Sequence, residues 1–413
     1  MKMPFSSFGL DENLTRAVSD FPAPTPVQEA AIPAALDARD ILAIAPTGSG
    51  KTTAFVLPLL QRWLGEKRRK PRPVFALILV PTRELAAQVR DVIQQCARDL
   101  PERIKVVSAV GGLSINPQMM ALRGGADIVV ATPGRLLDLV DRNAVTLSEV
   151  QALVLDEADR LLDLGFEEEL QKLLGLLPPK RQNLLFSATF PPRVEALATR
   201  FQRDSVRIEI ESEPTETAAI EQRAIRVDKA KRAPLLRHLI KTEKWERVLV
   251  FVATQYASEH VAGKLRVNGI EALSFHGDLS QGAREEALND FKNSKIRVLV
   301  ATDLAARGLD IQLLPVVVNY DLPRSPVDYT HRIGRTGRAG ETGLAISFIT
   351  EESHAHFSLI GKRLDLALTM EEIESFEPTE VPLAPPGNGG IKGRRKSKKD
   401  KLREAAARAK GSK

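Results

Sequence analysis

The sequence predicts an α/β protein of two tandem domains, each a parallel sheet flanked by helices. Three observations carry that expectation. Short β-branched apolar runs recur with helix-length segments between them. The runs are continuous rather than alternating, as strands covered on both faces must be. The whole pattern occurs twice, on either side of an acidic stretch containing Pro and Thr. In chain order the first set is Ile41–Ala45, Val74–Val80, Val106–Val110, Ile128–Ala131, Leu153–Leu155 and Leu184–Phe186. The second is Val248–Val252, Ala272–Phe275, Val298–Val300, Val316–Asn319 and Ala345–Ile349. Strands alternating with helices imply crossover connections and therefore a parallel sheet in each half.

Between the sets, Glu209 to Glu221 includes ESEPTETAA, too polar to join a core, and reads as a linker. The expected division is a first domain over 1–208, a linker over 209–221, a second domain over 222–380 and a tail over 381–413. The tail is first Pro/Gly-rich, then basic, and is expected to be disordered on its own.

Charge is distributed unevenly. The 413 residues carry 59 Lys+Arg against 53 Asp+Glu, a formal charge of +6. Ile391 to Lys413 holds eleven basic and two acidic residues, so this stretch is +9 and residues 1–390 are −3. A single cysteine, Cys96, excludes an internal disulfide framework and fits a reducing compartment. It falls in a helical run and reads as a buried, inert thiol. The N-terminus has no apolar signal core, and no stretch approaches 18 consecutive apolar residues. The expectation is a cytoplasmic protein with no membrane partner.

The first run leads into a loop suited to phosphate. Ile41-Leu-Ala-Ile-Ala-Pro-Thr47-Gly48-Ser49-Gly50-Lys51-Thr52 is an apolar strand, a Gly-rich loop and the start of a helix. Glycines let backbone N–H groups curl round a phosphate, and the helix N-terminus adds its positive dipole end. Lys51 is placed to reach the β- and γ-phosphates of ATP, and the Thr52 hydroxyl to hold Mg²⁺. Ala45 stands where the strict P-loop pattern has glycine. A second acidic site comes from Ala152-Leu-Val-Leu-Asp156-Glu157-Ala158-Asp159. Asp156 at a strand end suits Mg²⁺ through water, and Glu157 suits the orientation or deprotonation of the attacking water.

Asp156-Glu157-Ala158-Asp159 resembles the motif that names the DEAD-box RNA helicases of superfamily 2. Further segments agree in family order over roughly residues 5–350. Pro24-Thr-Pro-Val-Gln28 is similar to the adenine-reading Q motif, with Phe21 as an aromatic platform. Asp20-Phe21 stands where the family usually has Gly-Phe or Gly-Tyr, a departure at the N-terminal cap. Pro81-Thr82-Arg83-Glu84-Leu85, Gly111-Gly112 and Thr132-Pro133-Gly134-Arg135 resemble its RNA-backbone motifs, as does Thr302 in ATDLAARGLD. Ser187-Ala188-Thr189 resembles the motif linking hydrolysis to unwinding, and His331-Arg-Ile-Gly-Arg335-Thr-Gly-Arg338 resembles the last family motif.

The resemblance implies two RecA-like domains facing each other across ATP and RNA. It implies Arg335 and Arg338 as arginine fingers toward the γ-phosphate, Asp310 on the ribose, and His331 coupling the fingers to Ser187 and Thr189. A cis-acting finger works only when the domains close, so hydrolysis is conditional on closure. The implied partner is single-stranded RNA held by its backbone without sequence preference. Gly-Gly, Thr-Pro-Gly and Pro-Thr-Arg supply backbone and hydroxyl donors rather than base-reading aromatics, and 5% aromatic content argues against a base-stacking module. The expected activity is RNA-stimulated ATP hydrolysis coupled to local, non-processive unwinding or ribonucleoprotein remodelling by a monomer, with ribosomal precursors or RNA-decay machinery as expected partners. The compact core and short basic tail resemble the bacterial RhlE-like branch. His354 and His356 read as surface histidines, and Lys67-Arg-Arg-Lys70 as either a solvated loop after a helix C-terminus or an RNA contact.

Overall fold

The computed structural model describes residues 4–46, 48–67, 69–202, 204–210, 220–306, 314–337, 342–366 and 368–379. Its first sheet contains β1 (Ile41–Ile44), β2 (Ala76–Leu79), β3 (Val106–Ala109), β4 (Ile128–Ala131), β5 (Ala152–Leu155), β6 (Gln182–Ser187) and β7 (Val206–Glu209). Its second contains β8 (Ile220–Arg226), β9 (Val248–Val252), β10 (Ala272–Phe275), β11 (Val298–Thr302), β12 (Val316–Asn319), β13 (Gly343–Ile349) and β14 (Met370–Glu371). The orders are β3-β4-β2-β5-β6-β1-β7 and β10-β11-β9-β12-β13-β8-β14. Each position in one sheet has its counterpart in the other. The architectural repeat seen in the sequence is therefore a repeat of topology, and the pairings around β1 and β8 are parallel on both sides.

Every apolar run expected as a strand is one, with bounds moved by at most two residues. The pattern missed β7, β8 and β14. Val206–Glu209 alternates buried or partly buried residues with exposed ones, and in Ile220–Arg226 only Ala224 and Ile225 are buried. Strands near a sheet edge need no continuous apolar run, so they do not announce themselves. Their positions also correct the linker. Glu209 ends β7, and Ile220 and Glu221 open β8, so the connection expected over 209–221 is shorter at both ends. Residues 211–219 and the basic tail lie outside the described residues.

Helices cover both faces of each sheet and enclose separate apolar clusters. On one face of the first sheet, Phe55 and Trp63 of the helix Lys51–Leu64 pack with Ile41, Ala43 and Phe186. On the other, Leu42, Leu77, Leu153 and Leu185 meet Leu136, Leu161 and Val194. Alternate residues of β1 thus point to opposite cores. Cys96 is a buried free thiol, and burial pushes its pKa up to about 11, which fits an inert role. His356 is less free than expected: its Nε2 lies 2.7 Å from the Pro323 carbonyl oxygen. No described helix is long and apolar enough to cross a membrane.

Candidate nucleotide site and nucleic-acid face

The motif loops of the first domain leave the C-terminal ends of strands. β1 runs into the P-loop, β2 into Pro81–Arg83, β3 into Gly111-Gly112, β4 into Thr132–Arg135, β5 into Asp156–Asp159 and β6 into Ser187–Thr189. Open parallel sheets bind ligands at this edge, because helix N-termini and free loop backbone gather there.

Gly50 caps the helix Lys51–Leu64 with φ 90°, and Gly48 has φ 81°. A Cβ on Gly50 would sit 2.4 Å from the Gln28 amide nitrogen, so this glycine is fixed by both conformation and space. Gln28 Nε2 donates to the Gly50 carbonyl at 3.1 Å, and its Oε1 accepts from the Thr25 N–H at 2.9 Å. Thr25 Oγ1 donates to the Ser49 carbonyl at 2.7 Å. The buried glutamine therefore braces the P-loop while closing the capping box of its own helix, Pro26–Leu36. Phe21 is 53% exposed nearby in sequence. Ala45 is buried, and its N–H donates to the Ser187 carbonyl at 3.0 Å, so the methyl found at the first P-loop position is accommodated.

Lys51 is buried, with Nζ donating to the carbonyls of Ala45 at 2.6 Å and Pro46 at 2.8 Å. Burial pulls its pKa down, opposed by the charges of Asp156, Glu157 and Asp159. The same burial, reinforced by Glu157 and opposed by Lys51, pushes Asp156 up to about 7. Thr52 is half-buried in the first turn of the helix. Asp156 Oδ1 accepts the Glu157 N–H at 2.9 Å. Glu157 holds φ 51° without being glycine, a strained conformation that turns its carboxylate beside Arg160 at 3.3 Å. Asp159 Oδ2 accepts from both the N–H (3.0 Å) and the hydroxyl (2.7 Å) of Thr189, and Ser187 Oγ accepts the Asp159 N–H at 3.3 Å. The Asp156–Asp159 and Ser187–Thr189 loops are thus one hydrogen-bonded unit.

Across the seam, a cavity of about 680 Å³ is lined by Pro46 and Thr189 of the first domain and by His331, Thr336 and Gly337 of the second. His331 lies in the last turn of the helix Pro326–Ile333, and buried Arg335 follows just beyond it. Arg335 and Arg332 share a smaller recess with Arg160 of the first domain. Thr47, Asp310 and Arg338 lie outside the described residues.

On the expected RNA face, Thr82 caps the helix Arg83–Cys96 by accepting the Leu85 N–H at 3.2 Å. The Arg83 guanidinium lies against Gly112, where a Cβ would meet Nη1 at 2.7 Å. Thr132 Oγ1 accepts the Gly111 N–H at 3.1 Å, and Arg135 Nη2 donates to the Leu113 carbonyl at 2.8 Å. These loops therefore form one surface, with Gly134 in open space. Pro81 and Pro133 are buried and have no N–H, so they shape the surface rather than offer donors. Thr302 is buried at the end of β11.

Three contributors went unread in the sequence. Arg160, just past Asp159, pairs with Glu157. Arg332, the second residue of the HRIGR run, sends Nε and Nη2 to Asp303 at 2.6 Å each and Nη1 to Asn319 at 3.0 Å. Arg284 crosses between domains to Glu84 at 2.7 Å, its guanidinium carbon 5.0 Å from the Phe275 ring centroid. The first adjoins a recognised motif and the second sits inside one, where nearness to Asp159 and Arg335 was a usable signal. Arg284 has none, because its partner is 200 residues away.

A duplicated RecA-like fold with a phosphate loop on one half, and arginines of the other half at the seam, defines a two-domain nucleotide-driven motor. The model of the DEAD/DEAH box helicase domain matches residues 25–197, and that of the helicase conserved C-terminal domain matches residues 230–340. ATP-dependent RNA helicase CshA of Listeria monocytogenes is 40% identical over 358 residues, covering 86% of this chain and 68% of the relative. ATP-dependent rRNA helicase RRP3 of Gibberella zeae is 40% identical over 385 residues, 91% and 78% of the two chains. The structure of S. cerevisiae Dbp5 bound to RNA and ADP–BeF3 superposes with a TM-score of 0.77 at 32% identity, covering 89% of this chain and 95% of that one. The chain belongs to the DEAD/DEAH box helicase family. It is an ATP-hydrolysing RNA helicase of the DEAD-box type.

Proposed function

We propose that the protein couples RNA-stimulated ATP hydrolysis to local, non-processive separation of RNA strands or remodelling of ribonucleoprotein. The observation that carries this reading is the seam itself. Pro46 of the P-loop and Thr189, hydrogen-bonded to Asp159, line a cavity whose other wall holds His331, Arg160 shares a smaller recess with Arg335, and the ion pair Glu84–Arg284 spans the same boundary. In this reading Lys51 and the P-loop N–H groups hold the ATP phosphates, Gln28 and Phe21 the adenine, and Asp310 the ribose. Glu157 orients or deprotonates the attacking water. Arg335 and Arg338 neutralise charge developing on the γ-phosphate when the domains close. The Asp159–Thr189 hydrogen bonds carry the state of the nucleotide to the seam and to His331.

The donor set suits Mg²⁺. A hydroxyl (Thr52) and a carboxylate (Asp156) are hard oxygen ligands, and a cation would relieve the burial of Asp156. No group of three or more His, Cys, Asp or Glu able to hold a metal occurs among the described residues. The ion would thus depend on substrate phosphates and water, where it would neutralise phosphate charge. RNA would lie along Thr82, Arg83, Gly112, Thr132, Gly134, Arg135 and Thr302, held by its backbone as a single strand. We place the protein in the cytoplasm as a monomer acting on ribosomal precursors or with RNA-decay machinery; the RhlE-like assignment rests on the compact core and basic tail.

The test is an ATPase assay on the full-length protein with and without single-stranded RNA, beside matched DNA, with Lys51→Ala as control. Wild type should be strongly stimulated by RNA, weakly by DNA, and the variant inactive. Turnover indifferent to RNA would sink the reading.

A further inference from the structure

Aromatic rings are scarce on this protein's surface. Both tryptophans are buried, as are Tyr320 and Tyr329. Among the described residues the large aromatics left exposed are Phe21, assigned above to adenine, and Tyr256, whose exposure is 77%. An isolated surface aromatic needs no explanation. Tyr256 differs because its ring is held in a set pose at a set place.

The pose comes from His260, one helical turn along the helix Gln255–Val267. The two rings stack with centroids 5.7 Å apart and planes 12° from parallel. The place comes from hydrogen bonds at the start of that helix. Thr254 caps it by accepting the Ala257 N–H at 3.1 Å. Gln255 Nε2 donates to Asp278 Oδ1 at 3.2 Å, and the same amide would lie 3.5 Å from a Cβ on Gly277. The first turn is thereby fixed to the loop Gly277–Leu279. That loop leads into the helix Gln281–Lys292, which Arg284 ties to Glu84 across the seam, beside Arg83 and Gly112. The helix that carries Tyr256 is thus tied, through Gln255 and the loop Gly277–Leu279, to the second-domain side of the surface read above as the RNA path.

We infer that Tyr256, backed by His260, is a stacking platform for one unpaired RNA base at the edge of the second domain. The inference rests on the RNA path described under the proposed function and adds to it a contact of a different kind. Backbone donors hold phosphates and sugars, whereas a fixed ring takes a base by its π-face. Every base has one, so the contact is tolerant of sequence, with purines favoured at that one position through their larger stacking surface. Stacking one base while the backbone is held elsewhere also keeps the end of the bound strand from re-pairing.

The test uses the full-length protein with AMP-PNP and a short labelled single-stranded RNA, together with a series carrying one abasic site at successive positions. Wild type should lose about tenfold in affinity at a single abasic position. Tyr256→Ala should bind intact RNA about tenfold more weakly and lose nothing further at that position, while Tyr256→Phe stays within about twofold of wild type. The log–log salt slope should be the same for all three proteins, since no phosphate contact is lost. Equal affinity of Tyr256→Ala and wild type for intact RNA overturns the inference, as does a loss that is uniform along the abasic series. Wild type that binds no RNA overturns both this inference and the reading it rests on, so the two failures are distinguishable.

Discussion

Glu84 and Arg284 meet across the domain boundary at 2.7 Å, the carboxylate 10% and the guanidinium 6% exposed. Glu84 is the second residue of the helix Arg83–Cys96, directly after the candidate RNA residues Thr82 and Arg83. A residue one step from a candidate RNA contact thus holds the other domain. A shielded pair of this kind adds modestly over an apolar contact, but removing one partner leaves a charge stranded, at about 3–5 kcal/mol. That cost falls only on the closed arrangement.

Arg284→Ala should accordingly lower RNA-stimulated ATPase by about a hundred- to several-thousandfold while the RNA-independent rate changes little. The exchanged pair, Glu84→Arg with Arg284→Glu, should recover part of the loss. A double-mutant cycle on the RNA-stimulated rate measures the coupling. Strictly additive single losses would show that the contact has no part in closure.

The phosphate site and the duplicated sheets were legible because their signals are local. A P-loop needs its glycines within one turn, and buried parallel strands need unbroken apolar runs. β7, β8 and β14 were illegible because partly exposed strands carry polar residues like a loop. The ion-pair partners of Arg284 and Arg332 were illegible for another reason. A buried arginine has the same letter as a surface one, and only the fold brings Glu84 or Asp303 to it. The bracing of Gly50 by Gln28 falls between these cases: both residues were singled out, but their contact at 3.1 Å was not.

The Lys51–Asp156 pair predicts a pH dependence of the nucleotide-free protein. Burial raises the folded pKa of Asp156 from its ordinary 3.8 to about 7, so the neutral carboxyl favours the fold. Its contribution is complete below pH 3.8, declines as pH rises, and is lost above about 7, a change on the order of 4 kcal/mol. Thermal melting of wild type against Asp156→Asn from pH 5 to 8 isolates this carboxyl from the histidines. The wild-type melting temperature should fall relative to the variant by several degrees, and magnesium and ATP together should reverse the trend by favouring the carboxylate. Parallel curves would mean that Asp156 is ionised throughout.

The charge asymmetry gives the last prediction. Residues 1–390 are −3 and the segment from Ile391 to Lys413 is +9; in the proposed reading the body would hold RNA by a few local donors and the tail would be a separate source of affinity. Clustered cations attract a polyanion without reading it and release its counterions, which makes their contribution salt-dependent. Truncation before Ile391 should leave the RNA-independent ATPase intact and raise the RNA concentration needed for half-maximal stimulation. The slope of log affinity against log salt should flatten by about 0.7 for each single-strand phosphate contact removed. Titrations between 50 and 200 mM salt test this directly. If full-length and truncated proteins give superimposable binding at every salt concentration, the tail does not gather RNA, and its charge acts on solubility or on a protein partner.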